Sequence, residues 1–206
     1  KLLKAAKSPV IVAGDGVLQV NADATARAVL AFAKKHGIPV VPSAMAKGMF
    51  PWKNSAVLPP MDAFANGKGS DVVRKSDLIF TVGFHPTETF EPRNFNPDGK
   101  IKMVHLSNQK LPAAHRIKGM TPSVEVTAEL GAGLKAISAG LKGHRAPRQV
   151  LDKTRLVRNL HDADLKAAVA NPGSGRFKPQ SVMNELRKAL DQGASKGEKA
   201  MVFGDV

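Results

Sequence analysis

Ser8-Pro9-Val10-Ile11-Val12-Ala13-Gly14-Asp15-Gly16-Val17 is the stretch that decides the fold. An apolar run, Val10 to Ala13, reaches two glycines spaced one apart, and a small-residue, helix-compatible segment follows from about Ala22 to His36. A buried parallel strand that enters a tight turn and then a helix has this pattern. Gly14 and Gly16 tolerate backbone angles that a side chain forbids, and they let a ligand or a neighbouring segment come close. The first amides of a helix that follows a strand are unpaired, so such a turn is a natural anion site. The dinucleotide fingerprint G-x-G-x-x-G is incomplete, because Gln19 stands where the third glycine belongs. Alone, these glycines read as a βα turn that needs small residues.

The same theme recurs downstream. Gly37 reads as a helix C-cap and Ile38 to Val41 as a second buried strand, which runs into a loop, Ala44 to Pro51, that carries Lys47. Residues 51–70, rich in Pro, Asn, Gly and Ser, read as a long loop, with a short helix from about Ser70 to Lys75. Asp77 to Val82 is another buried strand that ends in a glycine, Gly83. The loop Phe84 to Gly99 carries His85, Glu88, Glu91 and Arg93; its three prolines and lack of helical spacing argue against a preformed metal cluster of His85, Glu88 and Glu91. Ile101 to Leu106 is a fourth strand, in which His105 reads as a packed strand histidine. A short strand around Ser123 to Val126 precedes a helix from about Ala128 to Leu141, which Gly131 and Gly133 weaken by about 1 kcal/mol each relative to alanine. This alternation predicts an α/β fold: a doubly wound, Rossmann-like parallel sheet with helices on both faces and right-handed crossovers, followed by a helical C-terminal extension.

At Gly140 to Pro147 small residues, a proline and clustered basic charge mark a boundary, so the expected domains are 1–143 and 144–206. Beyond it, Gln149 to Ala170 has helical spacing, Asn171 to Gly175 breaks it, and a further helix runs from Lys178 to about Asp191. The last segment, Ala200 to Val206, reads as a strand with no chain after it, as at the truncated start of a second α/β domain. The chain opens on Lys1 and not on methionine, which agrees with a piece cut from a longer protein.

Composition narrows the function classes. With 206 residues, 43% of them hydrophobic, a packed core is expected and disorder is not. No apolar run approaches the roughly 20 residues of a membrane span and no signal peptide opens the chain, so a cytoplasmic protein with no membrane partner is expected. The absence of cysteine excludes disulfide and thiolate chemistry. A net charge of +14 permits attraction to nucleic acid, but there is no Tyr, one Trp, and no basic run interleaved with aromatics to stack on bases.

Taken together, several segments resemble the central domain of thiamine-diphosphate-dependent enzymes, in the acetolactate synthase branch. They are Pro9 to Val17; Gly37-Ile38-Pro39-Val40-Val41 with Ala46 to Pro51; Ser76 to Gly83; and Phe84 to Asn96. Arg176 to Leu186 resembles the start of that family's C-terminal, diphosphate-binding domain, and Phe203-Gly204-Asp205-Val206 the strand after it. The resemblance implies three α/β domains per subunit. An N-terminal domain supplies the glutamate that activates thiamine diphosphate, and a C-terminal domain holds the diphosphate through Mg²⁺. It implies partners accordingly: the chain's own N- and C-terminal domains and a second subunit of a homo-oligomer. It assigns no catalytic residue and no metal ligand to this chain.

In some relatives the central domain binds FAD or an ADP-containing ligand. On that resemblance the candidate cofactor-binding residues are Gly14, Asp15, Gly16, Ser43, Met45, Gly83 and His85, with Ala44 and Phe84 in the same segments. His85 replaces an arginine, Ser107 replaces an acid, and Val126-Thr127-Ala128 stands where Gly-Asp is usual. Asp15 brings negative charge to the glycine turn. The expectation is therefore a vestigial nucleotide pocket in a structural domain that is inert by itself. The alternatives are a stand-alone nucleotide- or NAD-binding module of similar fold, and a basic nucleic-acid-binding protein.

Overall fold

The computed structural model describes residues 1–62, 64, 66–88, 95–170, 179–197 and 199. The chain divides into two compact units, Lys1–Arg158 and Asn159–Val206. In the first unit β1 (Pro9–Ala13), β2 (Val40–Pro42), β3 (Leu78–Val82), β4 (Lys102–Ser107) and β5 (Val124–Thr127) form one parallel sheet in the order β2-β1-β3-β4-β5. The helices are α1 (Leu2–Ala5), α2 (Gly16–Gln19), α3 (Ala22–His36), α4 (Gly67–Arg74), α5 (Leu130–Leu141) and α6 (Arg148–Ala170). The expected doubly wound α/β sheet is what the chain forms.

Alternation along the strands builds two cores. Ile11, Phe80, Val82, Val104 and Leu106 face Val29 and Phe32 of α3 and Leu130 and Leu134 of α5. Val10, Val12, Ile79 and Met103 face the other way, toward Leu58, Met61, Val73 of α4, Phe84 and Phe95. Every residue of β1 and β3 is buried, as near-continuous apolar runs covered on both faces must be, with Thr81 the polar exception in β3.

Three boundaries differ from the sequence expectation, each for a local reason. The second strand begins at Val40 rather than Ile38, because Ile38 completes the cap of α3: Gly37 is left-handed (φ 65°) and the Ile38 amide donates to the Ala33 carbonyl at 3.0 Å. A one-turn helix, α2, fills the space between the glycine turn and α3, and Asn21 at φ 46° separates the two helices. The segment at 51–70 is only partly loop. Val57 bridges Val40, the Leu58 amide donates to Val40 and the Met61 amide to Pro42, so this stretch covers the edge of β2 before α4 starts at Gly67. Arg158 of α6 clasps it, with hydrogen bonds to the carbonyls of Trp52 (2.6 Å), Asn54 (3.1 Å) and Val57, and its guanidinium 4.0 Å above the Trp52 ring.

The second unit holds the later turns of α6 and α7 (Pro179–Ser195), with the Ser181 hydroxyl donating to the Ala168 carbonyl at 3.4 Å. The expected helix break at Asn171–Gly175, the segment Arg176–Lys178 and the expected strand Ala200–Val206 lie outside the described residues, whereas the neighbouring Lys199 lies within them. Among the described residues no helix is long and apolar enough to cross a membrane.

Candidate functional site

In a sheet of order 2-1-3-4-5 the connections after β1 and β3 leave in opposite directions, and a crevice opens beyond their C-terminal ends. Ala13 pairs with Val82 in register, which places Gly14 beside Gly83. The two turns here touch. Gly14 donates to the Val82 carbonyl (3.0 Å), Gly16 to the Gly83 carbonyl (2.8 Å), and Gly83 to the Leu106 carbonyl of β4 (2.8 Å). A Cβ on Gly16 would lie 2.7 Å from the Gly83 oxygen. One on Gly83, itself at φ +60°, would lie 2.9 Å from the Val17 nitrogen. Glycine is required on both sides because backbone packs on backbone.

Glu88 seals the crevice. It ends a 3-10 turn, Pro86–Glu88, and is only 7% exposed. Its Oε2 accepts the Asp15 amide at 2.9 Å and the hydroxyl of the fully buried Ser43; its Oε1 accepts the His85 amide at 2.6 Å. One carboxylate thus ties together the turn after β1, the end of β2 and the turn after β3. A Cβ on Gly14 would strike Glu88 Oε1 and the Phe84 Cα. Burial pushes the Glu88 carboxyl up to about 7; its hydrogen bonds from Ser43, His85 and Asp15 pull the other way, and the Asp15 charge adds to the rise.

Outside this seal lies a cavity of about 230 Å³ whose lining includes Asp15, Gly83, His85, His105, Ser107 and Lys110. The His85 Nδ1 is 2.7 Å from the Thr87 hydroxyl and its ring centroid is 4.7 Å from that of His115. Burial and then the neighbouring His115 lower its pKa, with Asp15 opposing. His105 is buried on β4, its Nδ1 2.7 Å from the Thr81 hydroxyl, and burial lowers its pKa against the pull of Glu125.

Of the residues singled out from sequence, Gly14, Asp15, Gly16, Ser43, Gly83 and His85 come together here, whereas Met45 is 61% exposed and Lys47 is exposed on the loop after β2. Thr127 is exposed at the end of β5, and the Ala128 amide donates to the Ser107 carbonyl at 2.9 Å. His85 meets Glu88 through its backbone amide rather than its ring, and Glu91 and Arg93 lie outside the described residues. Among the described residues no three His, Asp or Glu side chains converge as metal ligands. The residue that sequence reasoning undervalued is Glu88. A carboxylate five residues beyond Gly83, near two turns that offer amides, was its available signal.

The crevice does not fit a dinucleotide. The amides of Asp15 and His85, at the turns after β1 and β3, are already engaged by Glu88. The Gly16 amide is engaged by Gly83.

A sequence profile described as "Thiamine pyrophosphate enzyme, central domain" matches residues 1–137. The acetolactate synthase large subunit of Corynebacterium glutamicum is 36% identical over 105 residues, 49% of this chain and 16% of that protein. A probable acetolactate synthase large subunit of Methanocaldococcus jannaschii is 24% identical across 100% of this chain and 33% of its own length. The chain therefore spans between about a sixth and a third of these relatives. Among solved structures, a thiamine diphosphate-dependent 4-hydroxybenzoylformate decarboxylase of Rhodococcus jostii RHA1 superposes with a TM-score of 0.53 at 23% identity, over 67% of this chain and 25% of that one. That likeness shows the shared fold.

Proposed function

The chain belongs to the thiamine pyrophosphate enzyme central-domain family, and on that premise we propose that it is the central domain of an enzyme that joins or decarboxylates 2-oxo acids, as acetolactate synthases do. The observation that supports this is the family match over residues 1–137 together with relatives named acetolactate synthase. On this reading residues 1–143 are the central domain, and residues 144–206 are a linker helix and the beginning of a diphosphate-binding domain. Thiamine diphosphate, when bound, supplies a stabilised carbanion at its thiazolium carbon. It is held, with Mg²⁺, by domains on either side of this one, and no residue of this chain is assigned to that chemistry. The partners are those neighbouring domains and a second subunit, in the cytoplasm. The chain's role is architectural: a sheet closed at its C-terminal edge, which spaces the two cofactor-holding domains. The stand-alone nucleotide-binding and nucleic-acid-binding alternatives draw no support from the comparisons.

The test is to express the entire reading frame that contains this chain, and separately the 206 residues, and to assay pyruvate consumption with thiamine diphosphate and Mg²⁺. The entire frame should form acetolactate or release carbon dioxide with cofactor dependence, and the 206-residue chain should do neither. Turnover by the 206-residue chain, or an entire frame that fails to bind thiamine diphosphate, would refute the proposal.

A further inference from the structure

We propose that Glu88 is a resident anion: its carboxylate occupies the donor cradle between β1 and β3, so that the chain excludes dinucleotides with its own side chain and gains an anion site when that side chain is removed. The inference rests on the family reading only in identifying this crevice as the place where the fold offers a ligand site; the occupancy is a matter of geometry.

Three donors define the cradle, and they come from three separate segments: the Asp15 amide, the Ser43 hydroxyl and the His85 amide. Such a set, two backbone amides and a hydroxyl converging on one point from loops at the strand ends, is the kind of nest that binds phosphate oxygens. Glu88 presents both carboxylate oxygens to it from the 93% of its surface that is hidden from solvent. The fit is close enough that Gly14 has no room for a methyl group. A second anion cannot share these donors: the crevice floor is closed by the hydrogen bond from Gly16 to Gly83, and Asp15 adds a like charge at the rim.

The charge balance around Glu88 makes the seal sensitive to protonation. Among the described residues, the ionisable groups facing it are Asp15 from the turn after β1 and His85 from the turn after β3, and the end of β2 contributes the uncharged Ser43. Behind His85 stand His115 and His105. Burial favours the neutral acid, and the three donors favour the carboxylate, so the group is poised within reach of neutral pH. A neutral Glu88 loosens the charge-assisted bonds to Asp15 and His85 without emptying the cradle.

Two measurements test the proposal. The first is calorimetric titration of the 206-residue chain and its Glu88→Ala variant with inorganic pyrophosphate and, separately, with ADP at pH 8. The wild-type chain should show no saturable binding below about 1 mM, and Glu88→Ala should bind pyrophosphate at least roughly tenfold more tightly. ADP should follow pyrophosphate. Equal affinity in the two proteins, no gain in a folded Glu88→Ala, or a gain for ADP without one for pyrophosphate overturns the proposal. The second needs no variant: the Glu88 carboxyl carbon is followed by NMR against pH together with the Asp15 and His85 amide protons. All three should titrate together, well above the midpoint of a free glutamate. Amides that do not follow the carboxyl titration overturn the proposal even if Glu88→Ala fails to fold. Neither readout involves thiamine chemistry, so failure here leaves the assay of the reading frame untouched.

Discussion

The two edges of the sheet are each closed by one buried polar side chain, and they are closed in different ways. At the N-terminal edge His36, the last residue of α3, is 0% exposed and packs 4.6 Å from the Phe32 ring. Its Nδ1 lies 2.6 Å from the His144 carbonyl, so Nδ1 must donate, and Nε2 lies 2.9 Å from the Ser138 hydroxyl. Each ring nitrogen has one partner. At the C-terminal edge Glu88 gathers three donors onto a group that carries charge. One edge is a satisfied structural joint. The other, on the proposal above, is an anion cradle filled from within. A buried polar group with all its bonds made therefore does not by itself tell a structural joint from a site; what distinguishes them is whether the partners form a nest that an outside anion would also satisfy.

The largest expected effect breaks the structural joint. His36→Ala removes two partly buried hydrogen bonds and an aromatic contact, leaving the Ser138 hydroxyl without this partner, and should cost about 4 kcal/mol. Urea unfolding followed by circular dichroism checks this; a cost below about 1 kcal/mol would mean that the N-terminal edge does not depend on the histidine.

The next effect sharpens the contrast through pH. The Glu88 carboxyl rises from an ordinary 4.5 to about 7 on folding. A group raised in the folded state contributes its stability fully below the unfolded value and loses it as pH climbs through the folded one. Relative to Glu88→Gln, which does not titrate, the wild-type chain should therefore lose stability between about pH 4.5 and 7, by at most about 3 kcal/mol at 1.36 kcal/mol per unit. Unfolding of both proteins at pH 5 and pH 8 gives the difference, in which the histidines cancel. A difference that stays flat, or grows in favour of the wild type, would show that Glu88 is not held as described.

The smallest effect asks how far α5 depends on its start at the C-terminal edge, since its Ser138 is already held by His36 at the other. The Glu129 carboxylate accepts from the Gly131 amide at 2.8 Å and the Ala132 amide at 2.6 Å, and these bonds hold its pKa below the usual range. Glu129→Ala should cost about 1 kcal/mol. Amide exchange should quicken in Gly131 to Gly133 and stay unchanged at Ser138. Loss of protection along the entire helix would show that the cap and the histidine joint are one cooperative unit.

Much of this architecture is legible in the chain because its signals are local. Val10 to Ala13 is apolar without interruption, Leu78 to Val82 is apolar except for Thr81, and each is followed by glycine, so strand, turn and parallel pairing follow from neighbouring residues. The roles of Glu88 and His36 are not local. Glu88 meets Asp15 across 73 residues, and His36 meets His144 across 108. His36 looks like a basic residue in a last helical turn until the chain that covers it is in place. The electrostatic obstacle to a phosphate was legible in kind but assigned to Asp15. The structure puts the buried carboxylate on Glu88, and Asp15 contributes its amide. Met45, chosen because its segment resembles one that lines the pocket in relatives, illustrates the same limit: a segment's position follows from sequence, and the direction of its side chains does not.

The register of β1 against β3 also governs how the chain assembles in time. Val10 pairs with Ile79, and Ala13 with Val82, so the middle of the sheet joins segments 69 residues apart. During synthesis at about 5–20 residues per second, the first strand waits on the order of ten seconds for its central partner to be made. For that interval a run of four residues that ends up fully buried is exposed, with only β2 to pair with. Within this sheet β1 is made first and its central partner β3 follows 69 residues later, and the window between those two moments is when a chaperone has most to hold.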